Sequence, residues 1–245
     1  MQHPYTLHWN TDGWVVGTSI VTGGFAYDVE SHLSSLSPAE LQSLNKASIN
    51  AFDKGIAGIY NKSQSTMSDV VVGISIVSPL SMVLDEEIRK DYFTLGVMYA
   101  ETGVLAAIVP SLGKGIAKRI RPYVYNISTP IDVRTESDAQ RSFFSRHTTF
   151  AFSMAVFTST VYGDYFPTSD YKTYVWIASL GIAASCAVLR VTSGSHYPTD
   201  VIVGAVVGSS VGYLIPYIHR TRSANLSLAP IVSPRASGIS LTVRF

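Results

Sequence analysis

Charge is the first thing this sequence lacks. Only 14% of its 245 residues are Asp, Glu, Lys or Arg, against roughly 25% in an average soluble domain. The apolar share is an ordinary 47%, so Ser, Thr, Gly and Tyr fill the gap rather than extra Leu and Val. That balance excludes a disordered chain, which combines low hydrophobicity with high charge. An excess of one sign is missing too. The net charge of +1 argues against a general nucleic-acid binder, where a basic bias is the rule. A single cysteine, Cys186, excludes an intramolecular disulfide framework and a cysteine-rich zinc site. Residues 1–12 carry no Lys or Arg, so the basic start of a secretory signal is missing. Either the first apolar segment serves as an uncleaved anchor or a presequence has been removed. The length suits one domain.

What charge there is lies unevenly. Six windows, 13–27, 70–84, 92–113, 147–163, 173–189 and 201–218, cover 104 residues and hold one charge, Glu101. An amphipathic helix in water needs a charged face. These windows have none, so they read as helices surrounded by lipid or by other helices. A span needs about 20 apolar residues, with roughly 17 as the lower limit. Aromatic residues near the window ends, such as Trp14, Tyr92, Tyr174 and Tyr213, extend them as interfacial residues do. Gly204, Gly208 and Gly212 allow close helix approach. The expected fold class is all-α: a six-helix transmembrane bundle, with a soluble helical bundle as the alternative. Glu101 is expected to face the bundle or a water-filled groove, and Cys186 to be an inert core residue. His3, His8, His32 and His219 show no partner pattern and read as solvated.

The connections are polar. Ser37-Pro38-Ala39-Glu40 is a capping box that predicts a short helix. Residues 48–60 predict another, and Ser68 a cap for the second window. Residues 1–220 are expected to form one helical domain. In the tail, 221–245, apolar and polar residues alternate around Pro230 and Pro234, which predicts a short β-hairpin.

Three connections carry chemistry. Lys114 and Arg121 are seven residues apart, so on a helix they share one face; a stop-transfer cluster of basic residues is the plainer reading. Ser145-Arg146-His147 precedes the fourth window, where a hydroxyl, an imidazole and free N–H groups at a helix start suit an anion. A simple N-cap is the alternative there. In Arg190-Val-Thr-Ser-Gly-Ser-His196-Tyr-Pro-Thr-Asp200, the His and Asp are four apart. That spacing lets the carboxylate fix the imidazole tautomer and leaves the other nitrogen free as base or nucleophile. Arg190 adds a bidentate anion clamp. With six alternating helices, the 114–146 and 190–200 connections fall on one side. Cations gathered around a His–Asp pair suit phosphoryl transfer.

Lys114-x6-Arg121-Pro122, Ser145-x-His147 and Arg190-x5-His196-x3-Asp200 resemble the three signature motifs of the type 2 phosphatidic acid phosphatase (PAP2) family. That family shares its site with bacterial class A acid phosphatases and vanadium haloperoxidases. The resemblance covers roughly 70–218. It implies that His196 attacks phosphorus to form a phosphohistidine, that Asp200 orients it, and that His147 protonates the leaving oxygen and then activates water. Lys114, Arg121 and Arg190 would bind phosphate oxygens, with Ser145 adding a hydrogen bond. It implies no metal or other cofactor. The implied substrate is a lipid phosphate, the implied partner a membrane, and the implied place a bacterial inner membrane with the site facing the periplasm. Counting Lys and Arg points the other way, with 11 on the presumptive active side and 7 opposite, which by the positive-inside rule places that side in the cytoplasm.

Three positions depart from the family pattern. Phe144 stands where the second motif has Pro, a loss that should cost little. Arg146 stands where the second motif has Gly, whose missing Cβ allows close backbone approach to phosphate. Its side chain either crowds the phosphate, points away, or adds a cation. Leu189 stands where Ser usually precedes the third-motif Arg. Three other readings stay open: a soluble periplasmic acid phosphatase of the same fold, a vanadate-dependent haloperoxidase, and a non-catalytic phospholipid-binding protein. Lys118 and Arg119 read as headgroup contacts or solvated charge.

Overall fold

In the computed structural model, residues 3–221 and the strands 226–233 and 236–243 are described. The helices are α1 (Trp9–Ser31), α2 (Pro38–Ser43), α3 (Lys62–Val77), α4 (Glu86–Arg89), α5 (Tyr92–Ala117), α6 (Ile131–Thr135), α7 (Arg146–Tyr165), α8 (Lys172–Thr192) and α9 (Pro198–His219). Strands β1 (Leu226–Ser233) and β2 (Ala236–Val243) pair antiparallel. How the tail's side chains are arranged, and whether it docks, lies outside the described residues.

Each charge-poor window sits inside a long helix that runs past it into polar residues. For the second window, α3 begins at Lys62, where the Asn61 side chain accepts the Gln64 N–H, and a 3-10 segment carries it on to Leu84. Ser68 is therefore inside the helix and not its cap. Ser37 and Glu40 form the capping box of α2. The helix expected over 48–60 is replaced by two 3-10 turns, Lys46–Ser48 and Lys54–Ile56. Asn50 is the reason: its carbonyl and side chain capture the Asp53 and Lys54 N–H groups in a tight turn.

Among the described residues, four helical segments are long and apolar enough to cross a membrane: Lys62–Leu84, Tyr92–Tyr125, Lys172–Thr192 and Pro198–His219. Helices α1 and α7 fall short of that measure, so the expected count of six is not carried by composition alone. For α7 the reason is its position. It packs against α3, α5, α8 and α9 and buries Thr148, Thr149, Ser153, Ser159 and Thr160 along with Ala151, Met154 and Phe157. An enclosed helix needs no lipid-facing apolar surface. Its hydroxyls can bond back into the helix, as Thr149 does to the Ser145 carbonyl at 2.8 Å.

The core falls into three layers. Tyr5, Ile88, Leu95, Met98, Phe157, Val161 and Ile215 fill one end. Val72, Ala151, Ala155, Ala183 and Cys186 fill the middle. Leu36, Leu41, Tyr123, Val124 and Ala139 lie under the connections at the other end. His219, read from sequence as solvated, is fully buried at the end of α9.

Candidate active site

The C-terminal ends of α5 and α8 and the N-terminal ends of α7 and α9 meet at one end of the bundle. Backbone hydrogen bonds tie their connections together. Tyr123 N–H donates to the Gly194 carbonyl at 3.0 Å, Ser142 N–H to the Arg119 carbonyl at 3.0 Å, and Ser145 N–H to the Asp200 carbonyl at 3.2 Å. Gly194 is needed twice over. Its φ is +74°, and a Cβ there would run into the Ile59 carbonyl.

Lys114 and Arg121 do not meet by sharing a helix face. Helix α5 stops at Ala117 because Lys118 turns left-handed, with φ 45°, and its N–H closes onto the Lys114 carbonyl. Arg121 lies beyond, on extended backbone. Its Nε donates to the Asp138 carbonyl at 2.9 Å, Nη2 to Asp138 Oδ1 at 2.8 Å, and Nη1 to the Ser195 carbonyl at 3.2 Å. Burial pushes the Asp138 carboxyl up, but the Arg121 and Lys114 charges and the Arg121 hydrogen bond bring it below the usual carboxylate range. Lys114 Nζ donates to the Arg141 carbonyl. Arg190 Nη1 donates to Ser68 Oγ at 3.0 Å and lies 3.6 Å from Asp69. Its Nε is buried with no hydrogen-bond partner among the described residues. These three cations are 4%, 6% and 5% exposed, so they are a built feature and not a solvated basic patch.

His196 is fully buried and Nδ1 lies 2.6 Å from the Ser142 carbonyl. A carbonyl only accepts, so Nδ1 carries the proton, and the neutral ring holds a lone pair on Nε2. Burial, then the positive charges of Arg121, Arg190 and Lys114, holds the His196 pKa well below its ordinary value. The ring is therefore a free base at neutral pH.

Asp200 does not bond that ring. Its Oδ2 is 3.7 Å from Nδ1, beyond hydrogen-bond reach. It accepts instead from Ser142 Oγ–H at 2.5 Å, from Tyr197 N–H at 2.9 Å and from Arg119 Nη1 at 2.5 Å. Ser142 links the two, with its hydroxyl on Asp200 and its carbonyl on His196. Arg119 also donates to Thr199 Oγ1 at 2.7 Å and to Asp53 Oδ2 at 2.6 Å. It stacks 4.1 Å over the Tyr197 ring. It is thus a half-buried bridge and not a solvated charge, because the turn at Lys118 carries the chain inward.

His147, the second residue of α7, places Nε2 2.9 Å from Asp69 Oδ1. Arg190, Arg121, Lys114 and Arg146 are the cations acting on it. Ser145 caps α7: its Oγ accepts from the Thr148 N–H at 3.3 Å and the Thr148 hydroxyl at 2.9 Å. Its own proton remains to donate. Arg146 turns toward α1. Nη2 lies 3.2 Å from Glu30 Oε2 and donates to Ser111 Oγ at 2.7 Å.

The structure therefore gathers Lys114, Arg121, Arg190, His147 and His196 into one electrostatic cluster, with Ser145 and Asp200 as its supports and Arg146 turned to its edge. Sequence reasoning missed Asp53, Asp69, Asp138 and Ser142. Asp69 offered a signal, a carboxylate abutting an apolar window. The others sit in loops where no local pattern marks them.

The PAP2 superfamily model matches residues 92–224. No match is found among the curated proteins. A solved structure, the transmembrane PAP2-type phosphatidylglycerolphosphate phosphatase from Bacillus subtilis, is similar over 82% of this chain and 94% of its own. It has 18% identity and a TM-score of 0.48. The family match spans more than half of the sequence and takes in all eight site residues from Lys114 to Asp200, and on that match the chain belongs to the PAP2 superfamily.

Proposed function

We propose that this protein is a multi-pass membrane phosphatase that hydrolyses a phosphate monoester or pyrophosphate of a lipid through a phosphohistidine. The observation that carries the reading is the buried trio Lys114, Arg121 and Arg190 around a neutral His196, with the unpartnered Nε of Arg190 among its donors. A buried donor left unpaired costs about 1–3 kcal/mol, and a phosphate oxygen would satisfy it. His196 Nε2 attacks phosphorus while the three cations stabilise the charge on the equatorial oxygens. His147 gives its proton to the leaving oxygen, then takes one from the water that opens the phosphohistidine. Ser145 donates to a phosphate oxygen. Asp200 acts through Ser142 to fix the imidazole.

Arg146 supports catalysis in this reading, because its tie to Glu30 draws its long side chain away from the phosphate. Candidate substrates are phosphatidic acid, phosphatidylglycerol phosphate, undecaprenyl pyrophosphate and a lipid A phosphate. The proposed setting is a bacterial inner membrane with the site facing the periplasm, and residues 1–220 forming the phosphatase domain. The test is phosphate release from these four lipids by the purified protein in detergent, compared with His196→Ala and Arg146→Gly. The wild type should release phosphate from at least one of them. His196→Ala should lose at least about a thousandfold in kcat. Full activity in His196→Ala sinks the mechanism, and activity gained only in Arg146→Gly would favour a phospholipid-binding role for the native chain.

A further inference from the structure

At the other end of the bundle, about 28 Å along α9 from Asp200, a second set of side chains converges. Among the described residues, Asp12, Glu101 and His219 each place a potential ligand atom within 4.8 Å of the others. They come from the first turn of α1, the interior of α5 and the last turn of α9.

Two buried polar residues there, Glu101 and Ser19, lack hydrogen-bond partners among the described residues. His219 Nδ1 lies 2.7 Å from the Ile215 carbonyl. That carbonyl can only accept, so Nδ1 is the donor and Nε2 is the ring nitrogen left to meet a proton or a metal ion. Yet Nε2 faces Asp12 Oδ1 at 2.8 Å and Glu101 Oε2 at 3.4 Å. Two carboxylates and a ring nitrogen thus converge on one point, where a positive centre, a proton on Nε2 or a metal ion, would satisfy all three. Glu101 is 5% exposed, and neither of its oxygens has a hydrogen-bond partner among the described residues. Ser19 lines the same cleft between α1 and α5 as Glu101, and its buried hydroxyl has no partner either. Such groups are costly to bury unless a positive centre lies between them.

We propose that Asp12, Glu101 and His219 form a binding site for a first-row divalent metal ion of zinc-like preference. One doubly charged cation and two carboxylates sum to zero, which suits a buried site. The imidazole selects this class over magnesium and calcium, which favour all-oxygen shells. The Nδ1–H bond to a backbone carbonyl is the usual support of a ligating histidine. Three protein ligands leave a fourth position toward the cleft, whose volume is about 480 Å³. The ion pins α1 to α5 and α9 at the end away from the phosphatase cluster, and its binding does not depend on that reading.

The test uses untagged full-length protein in detergent, stripped with a chelator. Zinc(II) is titrated by calorimetry and cobalt(II) by visible absorption. Wild type should bind one equivalent, show cobalt d–d bands, and melt several degrees higher with zinc. Asp12→Asn and His219→Gln should lose the bands and the shift, while His196→Ala should keep both. Asp12 lies near the rim with its side chain 18% exposed, so Asp12→Asn decides if His219→Gln does not fold. No stoichiometric uptake by wild type overturns the site in favour of a proton shared by the three groups. Uptake untouched by Asp12→Asn, or lost in His196→Ala, overturns it as well.

Discussion

Truncating Arg119 would strand two carboxylates. Asp53 and Asp200 are fully buried, and both take charge-assisted hydrogen bonds from its guanidinium. Breaking such a pair by removing one partner costs about 3–5 kcal/mol. Arg119→Ala should therefore melt far below wild type in detergent. Arg119→Lys should recover only part of the loss, because a point charge cannot span Thr199, Asp53 and Asp200 at once. A wild-type melting curve for Arg119→Ala would contradict this role. Lys118 predicts the opposite sign. Its left-handed φ of 45° strains any residue with a Cβ, and the side chain is exposed. Lys118→Gly should stabilise by about 0.5–1 kcal/mol, read as a raised melting temperature.

The pH profile follows from His196. Its folded pKa lies well below the ordinary 6.5, so the proposed nucleophile stays unprotonated as pH falls past that value. The acid limb of kcat/KM, corrected for the substrate's own ionisation, should lie below pH 6.5. A limb at or above 6.5 counts against a buried, cation-flanked base. The linked stability has a definite sign. The unfolded chain binds this proton more readily, so the contribution is complete above about pH 6.5 and is lost as pH falls toward the folded pKa.

Between helices, the closest packing is α9 on α7. A Cβ at Gly208 would meet the Thr149 carbonyl, and one at Gly212 the Ser153 carbonyl. Backbone on a packed helix cannot step aside as a flexible side chain can. Gly208→Ala or Gly212→Ala should therefore separate the helices at a cost of about 1–3 kcal/mol. Because α7 carries His147 and α9 begins beside His196, phosphate release should fall in step with stability. An unchanged melting temperature would refute the close approach. This packing was legible in the sequence as small residues four apart, and so were the helical windows themselves, since absence of charge persists over whole turns. Arg119 and Asp53 were not legible. Their meeting depends on where α5 stops, and that is set by the backbone turn at Lys118, a residue with no glycine to announce it. The helix read into 48–60 failed for a local reason of the same kind, the Asn50 turn.

Across the whole molecule, the outward faces of the long helices are apolar. Val70, Ile74 and Val77 on α3, Ile177 and Val188 on α8, and Ile202, Val206 and Leu214 on α9 are all exposed. A soluble monomer rarely shows a contiguous apolar patch beyond a few hundred Å², and these residues belong to segments capable of spanning a membrane. The buried acidic and basic side chains collect instead at the two ends, the cluster around His196 at one and Glu101 and His219, beside Asp12, at the other. Lipid around the middle and water at the ends would satisfy both distributions at once. The chain should therefore stay with membranes through a high-salt wash and an alkaline carbonate wash, and should leave them only in detergent. Release by salt alone would mean that the apolar faces are covered by protein, and the soluble acid-phosphatase reading would then replace the membrane one while leaving the chemistry at His196 intact.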